Sequence, residues 1–375
     1  MVMQRQARIL EILSAREDFV TARVEITAAP VGAARFLPGQ AVRIAVLPQL
    51  VGAVKVGMEV RIDCSALAKS LGTGGFATTI ATQSLPADTL PQVGHVMKAR
   101  YLPHQHMVLA AEEADSPYRA RLEACDDLGR MPVVVADLHS ALTPLLAAVR
   151  ARRPDTRVAY VHDDSAALPA AFSQTVARLR EDGWLSATIT AGQSFGGDYE
   201  AVSIPSALMV ARSVVGADIC VVAPGPGVMG TGTKWGFSGT ASATALHAAA
   251  SLGGSPVAVL RASSGDARAS HRGVSHHSLS VLTTLLHCSV TIADLDLDPN
   301  FATELGISEE VLSKLTSQRS ALSRHRLVCA DARQVWQALQ RTPVPLSTMG
   351  RSLAADPLAF LMAAAAGAVA ADLVD

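Results

Sequence analysis

Aromatic residues and net charge are what this chain has least of. Phe, Trp and Tyr together make up 4% of it, and the formal net charge at pH 7 is −1. Without a basic excess there is no broad field to attract phosphate backbones, and the 32 Lys and Arg are scattered rather than clustered, so no nucleic-acid partner is expected. Cysteine is sparse as well. Cys64, Cys125, Cys220, Cys288 and Cys329 lie far apart with no C-x-x-C pair. That excludes a disulfide framework and a thiolate zinc ribbon, and suits reduced thiols in a cytoplasmic protein. The N-terminus, MVMQRQARILEIL, lacks a long apolar core and a small-residue cleavage site, so no secretory signal is expected. The most apolar tract, Pro357 to Ala371, runs uncharged between Asp356 and Asp372. It falls short of the roughly 20 residues that span a bilayer. No membrane partner is expected; a buried C-terminal helix is, either within the subunit or at a homo-oligomer interface.

Hydrophobic residues fill 49% of the 375 positions, enough for a large core and more than one domain. Over residues 1–105, short apolar runs (Arg8–Leu13, Thr21–Ile26, Gln40–Leu47, Glu59–Ile62) alternate with glycine breaks at Gly39, Gly52, Gly57 and Gly72-Thr73-Gly74-Gly75. This spacing predicts a small β-barrel or sandwich. From Met131 the rhythm changes. Five-residue apolar runs near Pro132–Ala136, Arg157–Val161, Ser186–Thr190, Asp218–Ala223, Pro256–Leu260 and Ser289–Ala293 alternate with helical patterns such as Leu142–Arg152 and Ala241–Leu252. The fold class expected is α/β: a small all-β N-terminal domain, a doubly wound, mostly parallel sheet over 131–300, and a helical C-terminal extension over 301–375. One short run in that extension, Arg326–Ala330, reads as a further strand.

The richest motif is Ala223–Gly239, APGPGVMGTGTKWGFSG, directly after an apolar strand. Gly225, Gly227, Gly230 and Gly232 let backbone N–H groups approach a ligand, Thr231 and Thr233 add hydroxyls, and Lys234 adds a positive charge. A helix opening behind the loop would favour an anion. The run Gly225-x-Gly227-x-x-Gly230 fits a dinucleotide fingerprint by letter, but Arg261 stands near the position where that motif has an acidic residue. Trp235 after the lysine departs from a phosphate-loop motif. A purely structural loop is the competing reading.

The second cluster is Ser270–Ser278, SHRGVSHHS. His271, His276 and His277 could ligate a divalent metal, with Asp137, Asp198 or Asp266 adding a carboxylate. They could instead, with Arg272, grip a phosphate or transfer protons. Helix capping is the plainer alternative. The third cluster, Gly197-Asp198-Tyr199-Glu200, offers two carboxylates after a tight turn; these could bind a metal or a ribose hydroxyl, or simply open a helix. Asp294, Asp296 and Asp298 lack the glycine and distal glutamate of a calcium loop, and no G-x-S-x-G elbow accompanies Ser140. Most of the chemically interesting residues follow the carboxyl end of an expected strand, the ligand-binding edge of open α/β sheets.

The GGDYEA run, the GPGVMGTGTKWGFSG loop, the HRGVSHHSL run and the STMGRSLAADPLAFL segment, in this order, resemble the bacterial domain-of-unknown-function family 3866 across nearly the whole chain. The resemblance implies a bacterial origin and this motif order, and no activity, cofactor or catalytic residue.

The residues point to an enzyme acting on a small phosphorylated or nucleotide-like ligand. The anion would sit on the loop from Gly225 to Lys234, with Gly197 and Glu200 lining it. His271, Arg272, His276, His277 and Asp198 would supply proton transfer, charge or metal ligation. The alternative is a non-catalytic sensor or assembly protein that uses its β domain for partner contacts.

Overall fold

A computed structural model describes residues 2–71, 74–86 and 93–374, arranged in two compact units. The first, residues 1–92 with 99–108, is built from five strands: β1 (Gln4–Ala15), β2 (Val20–Ala28), β3 (Ala41–Val46), β4 (Glu59–Asp63) and β5 (Ala77–Thr82). They close into a barrel in the order β1-β2-β3-β5-β4. Alternation drives the closure: Arg5, Ala7 and Ile9 of β1 point inward while Gln4, Gln6 and Arg8 face out, the period of a half-buried strand. Arg5 is tolerated inside because its guanidinium donates to the carbonyls of Gln4, Arg35 and Phe36 at 2.7–2.8 Å. Gly39, Gly52 and Gly57 all take φ of +85°, which other residues adopt only under strain. Of the expected Gly72–Gly75 turn, Gly72 and Thr73 lie outside the described residues.

The second unit, residues 93–98 with 109–375, carries a parallel eight-stranded sheet. Its strands are β6 (Pro132–Val135), β7 (Val158–Asp163), β8 (Ala187–Thr190), β9 (Tyr199–Glu200), β10 (Ile219–Pro224), β11 (Ser255–Ala258), β12 (Thr291–Asp296) and β13 (Arg326–Asp331). The order across the sheet is β9-β8-β7-β10-β6-β11-β12-β13. Every residue of β6, β7, β8 and β10 is buried. Continuous apolar runs of this kind belong to strands covered on both faces. Arg326–Asp331, within the C-terminal stretch, completes the sheet as its far edge.

The cover on one face includes α1 (Leu142–Arg152) and the C-terminal helix, Pro357–Asp372, which packs on α1 and across β12 and β13. That helix is apolar on all sides because it lies inside this unit, with Leu358, Leu361, Ala364, Ala366 and Ala370 each fully or almost fully buried. Among the described residues no helix is long and apolar enough to cross a membrane. Gly367 sits where the two helices cross, and a Cβ there would collide with the backbone carbonyl of Leu145. Backbone cannot swing aside as a flexible side chain can. Gly367→Ala is therefore expected to lower stability by about 1–3 kcal/mol, read from the urea midpoint. An unchanged midpoint would contradict this close crossing.

Candidate functional site

Strand order places the site. β6 runs through α1 to β7 on one side, whereas its neighbour β10 runs through the helix Ala241–Ser251 to β11 on the other. Right-handed crossovers send these connections over opposite faces, which opens a crevice at the carboxyl ends of the strands. Asp137 follows β6, Gly225 follows β10 and Arg261 follows β11. A cleft there is lined by Asp137, Ser140, Arg261, His271, Thr348 and Arg351.

Arg261 and Asp137 pair in its lining. Their side chains are 15% and 11% exposed and approach at 3.7 Å. Burial pushes the Asp137 carboxyl above its ordinary range, and the Arg261 charge pulls it back. Gly239, just before the helix Ala241–Ser251, fits closely against Asp137, 3.0 Å separating an added Cβ from the aspartate Cβ. Ser140 and Thr348, also in the lining, share a hydroxyl hydrogen bond of 2.8 Å.

An ionic chain centred on the buried carboxylates of Asp266 and Asp356 frames the cleft. Arg268 donates twice to Asp266, at 3.0 and 2.9 Å. Arg351 bridges Asp266 at 3.2 Å and Asp356 at 2.9 Å. The hydrogen bonds from Arg268, helped by the charges of both arginines, hold the Asp266 carboxyl well below the usual carboxylate range. Asp356, fully buried, also accepts from Ser263 Oγ and the backbone N–H groups of Ser264 and Gly265. It thereby ties the loop after β11 to the start of the C-terminal helix.

That loop carries the histidines. The ribbon Ala262–Ser263 with Gly273–Val274 turns the chain back, and Ser275 caps the short helix His276–Ser280 by accepting from His277 N. Gln318 clamps Val274 through both its amide groups at 2.8 and 2.9 Å, and Lys314 holds Ala269 O at 2.7 Å. The rings of His271, His276 and His277 converge, with centroids 4.2–4.9 Å apart. Phe237 stacks on His277 at 3.8 Å with the planes 2° apart. Burial is the first cause that lowers all three histidines; His271 and His277 are pushed down to about 4. Arg261 and Arg268 act in the same direction.

The glycine loop departs from a simple cradle. Gly225 lies against the His162 ring so closely that a Cβ would overlap it, and Gly230 lies over His277. Between Gly227 and Trp235 the chain is largely exposed, and Gly230 bridges Phe237 as the base of a hairpin. Thr231 and Thr233 bond each other and Gly236, while Lys234 stands over the Trp235 ring at 4.8 Å. The helix begins only after Phe237, because Phe237 packs into a cluster with Ala243 and Val281. The helix expected from Ala241 begins there, after a single turn at Ser238–Thr240. Gly227 and Gly232 have φ of +92° and +76°, so their glycines answer to hairpin geometry.

Asp198 and Glu200 are likewise placed away from the histidines, at the β8–β9 edge, and Tyr199–Glu200 is a strand rather than a helix start. Asp198 pairs with Arg180 at 2.6 Å and accepts from Thr188 N. Gly197 closes on the backbone of Thr188 and Thr190. Glu200 faces the buried Lys98. Arg272 is exposed and donates to Asp266 O. Sequence reasoning did not single out Arg351, Asp356 and Lys98. For the first two a signal existed, since both lie in the STMGRSLAADPLAFL segment.

Residues 43–367 match the model of a family described as Protein of unknown function (DUF3866). Among curated proteins no sequence matches the chain.

Proposed function

We propose that this chain, which belongs to the DUF3866 family and inherits no assigned activity from it, is an enzyme that binds a small phosphorylated or nucleotide-like ligand in the cleft at the carboxyl edge of its sheet. The observation that carries the reading is Arg261. Among the described residues its guanidinium, 15% exposed, has one ion-pair partner, Asp137, at the long distance of 3.7 Å. A nearly buried fork of donors held this loosely is an anion receptor. Asp137, raised by burial, can take or give a proton beside it. Ser140 and Thr348 offer hydroxyls, and Lys234 at the exposed hairpin supplies a second cation for the distal part of the ligand.

The test is equilibrium binding of nucleotides, sugar phosphates and inorganic phosphate, with product analysis on any ligand that binds. Arg261→Ala is expected to weaken the best ligand at least tenfold, about 1.4 kcal/mol or more. Asp137→Asn should leave binding within a few-fold and remove turnover. A ligand bound equally well by Arg261→Ala would sink the assignment of this cleft. Binding with no product from any ligand would favour the sensor reading.

A further inference from the structure

We infer that His271, His276 and His277 form a binding site for one divalent transition-metal ion of the zinc class, held by three imidazoles with a fourth position open to solvent or ligand. The inference is independent of the anion-binding reading.

Three observations carry it. First, one ring nitrogen from each histidine lies within 4.8 Å of the others. In a tetrahedral site with metal–nitrogen bonds near 2.0–2.1 Å, ligand nitrogens stand about 3.3 Å apart. Swings of about 1 Å or less per ring close that difference. Second, His276 Nε2 and His277 Nε2 are buried with no hydrogen-bond partner among the described residues, and His277 is 5% exposed. Buried ring nitrogens without partners are uncommon because each forfeits its hydration without compensation. Two of them on adjacent rings whose centroids lie 4.2 Å apart, beside a third histidine, share a natural remedy in a cation.

Third, the groups behind the rings are those that orient metal ligands. His271 Nδ1 is bonded to Ser275 Oγ at 2.8 Å, which leaves Nε2 as the coordinating atom. Ser275 is fully buried. Phe237 fixes the plane of His277 by stacking, and Gln318 and Lys314 pin the loop from outside. Preorganised second contacts of this kind raise affinity. The surrounding charge does not forbid a cation: Asp266 offsets Arg268 at 2.9 Å, and Asp137 faces Arg261. An all-imidazole donor set selects zinc, copper, nickel or cobalt over magnesium and calcium. Because His271 also lines the cleft, a bound ion would sit at its rim, where a fourth ligand could be water or the anionic ligand itself.

The test uses the full chain without a histidine tag. Metal content is measured as purified, the protein is stripped with chelator, and Co2+ is titrated in as a spectroscopic probe. The expected result is the visible absorption of a low-symmetry nitrogen-ligated Co2+ saturating at one ion per chain, displaced by Zn2+ and indifferent to Mg2+. His276→Ala and His277→Ala should each lose the band. His247→Ala, which alters a histidine paired elsewhere with His287, should keep it. Absence of the band in the parent protein, or its survival in a folded His276→Ala/His277→Ala double variant, would overturn the site. Should those variants fail to fold, the parent decides: a Tm that rises with Zn2+ supports the site, and a Tm indifferent to Zn2+ rejects it. Anion affinity is read separately, so metal binding can fail while the cleft reading stands.

Discussion

Replacing Glu200 by alanine is expected to destabilise the α/β unit by about 3–5 kcal/mol, among the largest effects of any single polar truncation in this chain. The reason is Lys98, which is 0% exposed. Its ammonium donates to the carbonyls of Ser194 and Ala201 at 3.0 and 2.8 Å, and its counter-charge is Glu200 at 3.4 Å. Burial lowers the Lys98 pKa and raises that of Glu200, and each opposes the other's shift. The same carboxylate accepts from Thr190 Oγ1 and Gly196 N, both at 2.7 Å. Removing it therefore strands a buried cation, a hydroxyl and a backbone N–H at once. Glu200→Gln keeps acceptors for Thr190 and Gly196 and should cost less. Lys98→Met combined with Glu200→Gln should recover at least half the loss, since no unpaired charge is left inside. Urea denaturation of the four proteins measures this cycle. A Glu200→Ala variant within about 1 kcal/mol of the parent would show that the pair is not holding this edge together.

Glu200 also illustrates what a sequence conceals. A carboxylate after a glycine turn reads from sequence as a ligand or a helix opener, and the buried pair is not among the readings it offers. The pairing with Lys98 appears only when the chain is folded, because the two residues lie far apart in sequence. Arg351 and Asp356 pose the same difficulty, since Asp356 bonds Ser263 across 93 positions. What was legible was local. Val133–Val135 and Ile219–Ala223 are continuous apolar runs because both faces of these strands are covered, and Arg5, Ala7 and Ile9 alternate because one face of β1 is not. The all-round apolar helix at Pro357–Asp372 was legible for the same reason.

The order of strands was not legible, because periodicity says nothing about neighbours. That β10 inserts between β7 and β6 is what sets the crevice beside Asp137. The glycine loop left two readings open because a phosphate cradle and a hairpin demand the same residue. The end of the hairpin is fixed by the burial of Phe237 against Ala243, Val281 and His277, contacts that no local pattern announces. The histidine cluster was legible as a cluster, since His276 and His277 are adjacent. The convergence of His271 on them depends on the tight turn at Gly273, whose φ is +67°.

Acidification from pH 7 to pH 5 is expected to remove about 4 kcal/mol of stability through two histidines outside the proposed metal site. His162 is fully buried at the end of β7. Its Nε2–H donates to Ala167 O at 2.7 Å, so Nδ1 is the bare nitrogen, buried and without a partner among the described residues. His139 donates through Nδ1 to Pro224 O at 3.0 Å and so accepts from Ser173 Oγ through Nε2 at 2.8 Å. Neither arrangement has room for a second proton. Burial pushes both rings from 6.5 down to about 4, and a charged His162 would push His139 further. The unfolded chain therefore binds more protons than the folded one between these values. The stability is complete above about pH 6.5 and is lost as pH falls toward 4, by about 2 kcal/mol per ring at pH 5. Urea midpoints at pH 7, 6 and 5 measure the slope. His162→Leu should lower stability at pH 7 yet lose only about half as much on acidification. A slope that His162→Leu leaves unchanged would mean that other groups set the acid limit. Because Tyr160 and His139 both bond to the Pro224 carbonyl and Gly225 packs on His162, protonation here would loosen the turn that places the glycine hairpin over His277. Acid sensitivity of the fold and of the site should therefore appear together.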